Sequence, residues 1–181
     1  MFNNSNKLLF IGGVHGSGKT TIGTKAALRL GADFKSCSQI IRDERQTQVV
    51  STPGIADVDV NQQALVAGLK RLRSSSVTIM LDGHFTLKTK KDGIQPIPIS
   101  VFEAMFPDVL FLVETSSSTV CGRLASRDGD SPTEAEIHEH QEHERRAAVL
   151  VSRHLGRQLI VLNGEDENAH RALVNATQSV V

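Results

Sequence analysis

The sequence predicts an α/β fold in which helices cover both faces of a five-stranded parallel sheet. Apolar runs of strand length alternate with stretches of helical periodicity along the chain, and this alternation is typical of parallel strands joined by right-handed crossovers. A glycine-rich loop also separates the first apolar run from the first helical stretch. With 181 residues, 39% of them hydrophobic, the chain can bury a sizeable core. We therefore predict one domain over residues 1–181.

Each element follows from its apolar pattern and from the residues that bound it. Strands are predicted over residues 8–11, 32–36, 77–82, 109–113 and 159–162. Helices are predicted over residues 21–30, 39–45, 61–73, 100–106, 117–125, 134–151 and 169–180. Ser38 and Ser100 are predicted N-caps, as is either Ser117 or Ser118.

The longest predicted helix is unusual in its composition. A capping box ending at Glu134, with Pro132 in the first turn, is predicted to open it. Residues 134–146 are nearly all charged or His, whereas residues 147–151 are apolar. Only the apolar half can be packed in a core, so the first half is predicted to project as an arm.

The glycine-rich loop carries the strongest functional signal. Residues 13–20 read GVHGSGKT after an apolar strand, which matches the phosphate-binding P-loop, G-x-x-x-x-G-K-[ST]. The glycines permit a backbone that turns its N–H groups toward a phosphate, Lys19 would reach the β- and γ-phosphates, and the Thr20 hydroxyl would bind Mg²⁺. The strand before the loop and the helix after it argue against a chance turn. The predicted nucleotide-binding residues are Gly13, His15, Gly16, Ser17, Gly18, Lys19, Thr20 and Thr21.

A carboxylate at the end of a second apolar strand is predicted to complete the metal site. Asp82 ends residues 77–82 and is followed by Gly83-His84, so it would orient Mg²⁺ or its waters together with Thr20. The alternative is an Asp that only caps the following turn. His84 either contacts substrate or is a loop histidine satisfied by backbone groups, and the sequence leaves both open.

Arginines near the polar loop at residues 127–134 are candidates for catalysis. Arg123 and Arg127 lie four residues apart and so share a helix face, and Arg145 lies on the predicted arm. Phosphoryl transfer needs guanidinium groups that stabilise the charge of the transferring group. The alternative is solvated helix charges paired with acidic residues of the same arm.

Composition excludes several other classes. Twenty Lys and Arg balance twenty Asp and Glu, so the basic field that non-specific nucleic-acid or anionic-membrane binding requires is absent. Residues 1–6 do not form a signal peptide and no apolar run approaches a membrane span, which predicts a cytoplasmic protein. Cys37 and Cys121 are isolated, which favours reduced thiols. The histidines at 138, 140 and 143 do not form an H-E-x-x-H motif, so no metal site is predicted there.

With these residues together, the sequence resembles the P-loop nucleoside monophosphate kinases, and among them most closely the archaeal-type adenylate kinases. The resemblance covers the chain from Gly12 to about Asn163. It rests on the P-loop, residues 82–84, residues 88–90 with 96–98, residues 113–117, and residues 139–141 with Arg145.

This resemblance implies a fold with a short lid, an activity and a set of site residues. It implies ATP and Mg²⁺ as cofactors, AMP as the first acceptor to consider, an acceptor-binding segment over about 38–73 and a lid over about 123–146. By position, Ser38 and Arg42 fall on the acceptor helix, Arg123 and Arg127 at the lid entrance, and Arg145 on the lid arm. With Asp82 and His84, Ser38 and Arg42 form the predicted substrate-binding set.

One departure from the family affects the acceptor. No basic residue lies between Arg45 and Lys70, where family members usually place further arginines. A small-molecule kinase with another acceptor is therefore an alternative. An ATP-dependent switch or assembly factor that acts through a partner protein is a second one. Nucleotides are the expected partners, and the sequence leaves the oligomeric state open, a homo-oligomer included.

Overall fold

A computed structural model describes residues 7–47, 58–73, 77–89, 92–128 and 132–179. In chain order the elements are β1 (Leu8–Gly12), α1 (Lys19–Leu30), β2 (Asp33–Ser36), α2 (Cys37–Thr47), α3 (Val58–Leu72), β3 (Ile79–Asp82), β4 (Thr86–Thr89), β5 (Gly93–Pro96), α4 (Ile99–Met105), β6 (Val109–Glu114), α5 (Ser117–Asp128), α6 (Glu134–Leu155), β7 (Leu159–Asn163) and α7 (Ala169–Ser179). Residues 48–57 of the predicted acceptor segment and 129–131 of the predicted lid lie outside the described residues.

The central sheet has five strands in the order β2-β3-β1-β6-β7, and all of its pairings are parallel. The predicted α/β class with a five-stranded parallel sheet is thus confirmed. Strand β1 lies in the middle, and its side chains alternate between two hydrophobic cores. Leu8 and Phe10 pack on one face of the sheet, whereas Leu9 and Ile11 pack on the other. Burial on both faces explains why this strand is a continuous apolar run.

The strand register places the predicted site residues at one edge of the sheet. Ile11 of β1 pairs with Asp82 of β3, and Gly12 pairs with Leu112 of β6. The chain leaves β1 toward β2 on one side of the sheet and leaves β6 toward β7 on the other, and ligands bind at such switch points at the carboxyl ends of parallel strands. The loop after β1 opens at this point.

A small hairpin was not predicted. β4 and β5 pair antiparallel with Thr86 opposite Pro96, and they form a separate two-stranded sheet. Both strands are only four residues long, and neither has the regular apolar alternation by which a strand is recognised. The hairpin lies directly after Asp82 and packs against α6.

Four predicted helix caps are wrong, because the helices begin earlier or later than expected. Ser117 and Ser118 both lie inside α5, which begins at Ser117, and the Ser116 hydroxyl accepts from the Thr119 backbone N–H at 3.4 Å. Ser38 lies inside α2, which begins at Cys37. Ser100 lies inside α4, whose N-cap is Pro98. Helix α6 is capped by Thr133, whose side chain accepts from the Glu136 backbone N–H while the Glu136 side chain accepts from the Thr133 N–H. This capping box starts two residues later than the predicted one.

The prediction that the first half of α6 projects as an arm is wrong. Ile137 and Glu144 are 5% and 0% exposed, and the helix packs against α5 and the hairpin. These two residues are seven apart and so share one face of the helix. Glu144 can be buried because backbone N–H groups of residues 85 and 86 satisfy its carboxylate, and a buried charge without such partners would be very costly.

Within the described ranges, no helix combines the length and the apolar character needed to cross a membrane.

Candidate functional site

The loop between β1 and α1 has the conformation that its glycines were predicted to allow. Gly13, Gly16 and Gly18 have φ values of 140°, 79° and 101°, which side chains strongly disfavour. A Cβ atom at Gly13 would lie 2.5 Å from the Val113 backbone oxygen. The loop therefore needs glycine at this position for two independent reasons, backbone conformation and close approach to β6.

Lys19 lies inside this loop. Its side-chain Nζ donates to the backbone oxygens of Gly13 at 2.7 Å and Val14 at 3.0 Å, and the residue is only 6% exposed. Burial lowers the pKa of the Lys19 ammonium, and the negative charges of Asp82 and Glu144 oppose that shift. A cation held by backbone carbonyls at the start of a helix is well placed to bind phosphate oxygens.

Asp82 and Thr20 meet beside Lys19. Thr20 Oγ1 donates to Asp82 Oδ2 at 3.0 Å, although 62 residues separate the two in sequence. Burial raises the pKa of Asp82, and the charge of Lys19 and the Thr20 hydrogen bond oppose that rise. A hydroxyl and a carboxylate oxygen side by side are the hard oxygen donors that Mg²⁺ prefers.

The loop also contains one polar atom without a partner. Ser17 is 0% exposed, and its Oγ atom is buried with no hydrogen-bond partner. Its backbone oxygen accepts from Thr115 Oγ1 at 2.7 Å, which ties the loop to the end of β6. Buried hydroxyls are usually hydrogen-bonded, but Ser17 does not line the cavity that contains Lys19 and Thr20, so its hydroxyl is not open to a ligand there.

Arg123 and Arg127 both line the cavity that contains Lys19 and Thr20. Arg123 Nη1 donates to the Gly16 oxygen at 3.0 Å, and its Nη2 donates to the Gly164 oxygen at 3.2 Å. Arg127 lies one turn further along α5. The two predicted arginines are thus brought to the loop, where charge accumulates during phosphoryl transfer.

Arg145 is not brought to this cavity. It forms an ion pair with Glu114 at the end of β6, and it does not line the cavity. Its neighbour Arg146 lies 3.9 Å from Glu142 on the same helix. In the described conformation, therefore, only the arginines of α5 face the loop, and a role for Arg145 in catalysis stays a prediction.

A single large cavity extends from the loop to helices α2 and α3, with a volume of about 850 Å³. We call its two parts the phosphate end and the distal end. The phosphate end is lined by Gly16, Gly18, Lys19, Thr20, Asp82, Arg123 and Arg127. The distal end is lined by Cys37, Ser38, Ile41, Asn61, Gln62, Leu65, Leu87, Ile97, Val101 and Met105.

The two predicted acceptor residues have different positions. Ser38 lines the distal end, and its hydroxyl is 2.8 Å from that of Ser36. Arg42 does not line it and instead donates to Gln39 Oε1 at 2.6 Å. Among the described residues of α2 and α3, no basic side chain lines the cavity.

His84 lies at the junction of the two ends. Its ring stacks against that of His15 with centroids 6.0 Å apart, and its Nδ1 lies 3.8 Å from Glu144 Oε1. Burial, followed by the positive charges of Lys19 and the neighbouring histidines, lowers the pKa of His84 to about 3. It lines both the large cavity and a smaller one of about 320 Å³.

Three residues that sequence reasoning missed contribute to the site. Glu144 holds the segment after Asp82, because its carboxylate accepts from the backbone N–H groups of residues 85 and 86 and from the Thr86 hydroxyl at 2.6 Å. Burial raises the pKa of the Cys37 thiol to about 12, and Cys37 and Gln62 line the distal end. The only sequence signal for Glu144 was its position seven residues after Ile137.

The sequence of this chain is similar to those of known proteins. A family model described as "AAA domain" matches residues 12–141. The chain is 25% identical over 182 residues to an adenylate kinase of Pyrococcus horikoshii, covering 92% of this chain and 91% of the relative. It is 27% identical over 180 residues to an adenylate kinase of Pyrococcus abyssi, with the same coverage.

A solved structure shares the fold. It is a gluconokinase from Sinorhizobium meliloti 1021, with a TM-score of 0.55 and 14% sequence identity, over 97% of this chain and 91% of that one. At this identity the likeness concerns the fold alone.

Proposed function

The chain belongs to the AAA domain family, and from this premise we propose that it is a P-loop kinase that transfers the γ-phosphoryl of Mg-ATP to a nucleoside monophosphate. AMP is the acceptor we propose first. The observation that carries the proposal is the single cavity that joins the phosphate end to a separate distal end. Such a cavity holds a donor and an acceptor side by side and orients them for direct transfer.

The residues of the phosphate end would bind and orient the donor. Backbone N–H groups of the loop and the Lys19 ammonium would hold the β- and γ-phosphates, and Thr20 with Asp82 would hold Mg²⁺. When bound there, Mg²⁺ neutralises charge on the phosphate oxygens.

Transfer would proceed by in-line displacement at the γ-phosphorus. An oxygen of the acceptor phosphate forms the new bond to phosphorus as the bond to the β,γ-bridging oxygen breaks, and ADP leaves. Arg123 and Arg127 would stabilise the charge on the transferring group, as arginines do in this chemistry.

Two observations support a nucleotide acceptor. Relatives that match over most of the chain include adenylate kinases of Pyrococcus horikoshii and Pyrococcus abyssi. The distal end is lined mainly by apolar side chains, among them Ile41, Leu65 and Leu87. Such a lining suits a flat base better than a polyol, whose hydroxyl groups each require a partner.

A second candidate is a kinase for another small acceptor. It is favoured by the position of Arg42, which pairs with Gln39 and does not line the cavity. A monophosphate acceptor would need Arg42 to leave Gln39, or a basic group from elsewhere.

The test is a coupled assay of ATP turnover with a panel of nucleoside monophosphates. The proposal expects AMP to increase ADP production many-fold, with the added AMP converted to ADP. If turnover rises only with a different small acceptor, the second candidate is correct. Turnover that no small acceptor changes would instead indicate an ATP-dependent switch.

A further inference from the structure

We propose that Arg145 is a positioning residue that holds the phosphate-binding loop through Glu114 and Thr115 and does not act on the transferring group. The inference deepens the proposed function and rests on it. Helix α6 packs against β6 and α5. The segment at the junction of those two elements, residues 114–117, contacts the phosphate-binding loop of residues 13–20. Contacts thus connect α6 with the loop that would hold the phosphates.

The contact between Thr115 and Ser17 anchors the phosphate-binding loop. Thr115 is 6% exposed, and its hydroxyl donates to the Ser17 backbone oxygen at 2.7 Å. A Cβ atom at Gly164 would lie 2.0 Å from that oxygen and 2.1 Å from the Thr115 hydroxyl oxygen, so the hydrogen bond is tightly enclosed. Neither Thr115 nor Ser17 lines the cavity. The bond therefore holds the loop from outside the site where a ligand would bind.

Two residues of α6 fix the position of Thr115. Gln141 Oε1 accepts from the Thr115 backbone N–H at 3.3 Å. Arg145 lies one turn further on the same helix face and forms an ion pair with Glu114, the residue before Thr115. The other carboxylate oxygen of Glu114, Oε1, is buried and has no partner among the residues that the structure describes. The position of the Glu114 carboxylate therefore depends on Arg145.

The location of Arg145 favours this role over direct contact with the transferring group. Its guanidinium is engaged by Glu114, and Arg145 does not line the cavity, whereas Arg123 and Arg127 do. Without Arg145, the Glu114 carboxylate would lack its cationic partner, and a half-buried charge in that state is drawn toward water. A shift of residue 114 would also move Thr115, which is next to it in the chain.

An unanchored loop should bind nucleotide more weakly. A loop that is already ordered binds its ligand at a lower entropic cost than one that binding must order. The loss should therefore appear even with a nucleotide that cannot transfer its phosphoryl group. An arginine that acts only on the transferring group would instead change kcat and leave such binding unaltered.

Arg146 supplies a matched control. It is the next residue of α6, its side chain is 72% exposed, and it lies 3.9 Å from Glu142. Arg145→Met and Arg146→Met thus remove the same charged group from neighbouring positions of one helix. A general effect of lost positive charge would change both variants, whereas an effect on the loop would change only the first.

The first experiment measures the Kd of a magnesium-bound ATP analogue with an imido group between the β- and γ-phosphorus atoms, by isothermal titration calorimetry. We expect Arg145→Met to raise this Kd roughly 3–10-fold, a moderate effect because the Arg145 side chain is 51% exposed. Arg146→Met should leave it unchanged. A wild-type Kd in Arg145→Met, with a lowered kcat, would place Arg145 on the transferring group and overturn the inference.

A second substitution in Arg145→Met tests the path through Glu114. Glu114→Gln removes the unpaired charge and keeps the shape of the side chain, and replacing both partners of an ion pair costs far less than removing one. The double variant Arg145→Met/Glu114→Gln should therefore recover a Kd and a kcat close to wild type. An arginine that contacts the phosphoryl group cannot be replaced in this way, so a double variant that recovers neither constant would contradict the proposal.

Thr115 tests the last contact of the path without a change of charge, and it does so even if Arg145→Met folds poorly. Thr115→Val removes the hydroxyl and should raise the Kd of the analogue roughly 5–30-fold, whereas Thr115→Ser keeps the hydroxyl and should bind as wild type does. Adding Arg145→Met to Thr115→Val should have little further effect, because both act through one contact. An unchanged Kd in Thr115→Val, or fully additive effects in the double variant, would overturn the inference.

The inference and the proposed function fail in different ways. If wild type binds the analogue and AMP accelerates ATP turnover, but the Arg145 and Thr115 variants bind as wild type does, only the positioning role is lost. If wild type does not bind the analogue, or no nucleoside monophosphate accelerates turnover, the proposed function itself is wrong.

Discussion

The phosphate end and the distal end of the cavity are built in different ways. The phosphate end is formed largely by one continuous stretch, the loop before α1, whose glycines have positive φ and whose carbonyls hold Lys19. The distal end is assembled from α2, α3, α4 and the hairpin, which are far apart in sequence. Backbone geometry specifies the first, and packing of side chains from several elements specifies the second.

This difference predicts different consequences of substitution. In the proposed function, single side chains of the phosphate end would act on the reacting group, so their loss should change the rate of transfer. At the distal end, side chains would hold the acceptor equally in the ground state and the transition state, so their loss should change the acceptor KM. Kinetic constants measured for variants at the two ends therefore test whether the division is real.

The largest effect is expected at Arg127. Arg127→Ala should lower kcat by ~10³-fold, since an arginine that stabilises the transferring phosphoryl contributes at least that much. The ATP KM should change little, because such an interaction is made in the transition state. Steady-state kinetics with saturating acceptor provides the measurement.

Arg146 is the control for Arg127. It lies on α6, its side chain is 72% exposed, and its partner Glu142 is 3.9 Å away, so Arg146→Ala should leave kcat unchanged. If Arg127→Ala also keeps the wild-type kcat, Arg127 is a solvated helix charge and does not belong to the phosphate end.

Lys19→Ala should lower kcat/KM by roughly 10²–10³-fold, the usual loss for one group that stabilises charge in a buried site. It should also abolish stabilisation by the donor. At 100 times its Kd, Mg-ATP stabilises the wild type by ~2.7 kcal/mol, or about 5–10 °C in unfolding temperature for a chain of this size. Thermal unfolding with and without Mg-ATP measures this shift. If the unfolding temperature of wild type does not rise with Mg-ATP, the assignment of the donor site to this loop is wrong.

Arg42 tests the distal end. Arg42 pairs with Gln39, but it belongs to α2, other residues of which line this end. A guanidinium can bind a phosphate through two hydrogen bonds. Arg42→Ala should raise the acceptor KM roughly 10–150-fold and leave the ATP KM unchanged. Arg29→Ala, exposed on α1, serves as the control. An unaffected acceptor KM would mean that the acceptor phosphate is bound by other groups.

The two ends also differ in how far the sequence could predict them. The P-loop, Asp82 and the arginines of α5 were found because strand ends and local motifs place them at one edge of a parallel sheet. Gln62 and Cys37 carry no such motif. Their positions depend on how α2 and α3 pack, and those contacts join residues such as Gly68 and Ile40 that no local pattern connects.

Glu144 shows why burial could not be predicted for α6. The first half of α6 is rich in charged residues, and an isolated helix of that composition would be solvated. The carboxylate is buried because its partners, the N–H groups of Phe85 and Thr86, lie 59 and 58 residues away in the chain. Those groups are available because the hairpin begins there, and the hairpin itself was not predicted.

The smallest effect is expected at His84, at the junction of the two ends. The pKa of His84 is lowered to about 3 in the folded protein from an ordinary value of 6.5. As the pH falls below about 6.5, the unfolded chain therefore binds a proton that the folded protein does not, and stability is lost. Asp82 and Glu144 have raised pKa values and act in the opposite direction, but they are present in wild type and variant alike. Because the His84 side chain is 31% exposed, we expect about 1 kcal/mol of the loss in the free energy of unfolding between pH 7 and pH 5 to depend on this residue.

Urea unfolding of wild type and His84→Asn at both pH values measures this loss. A stability difference that stays constant between the two pH values would show that His84 protonates as readily in the folded protein as in the unfolded chain.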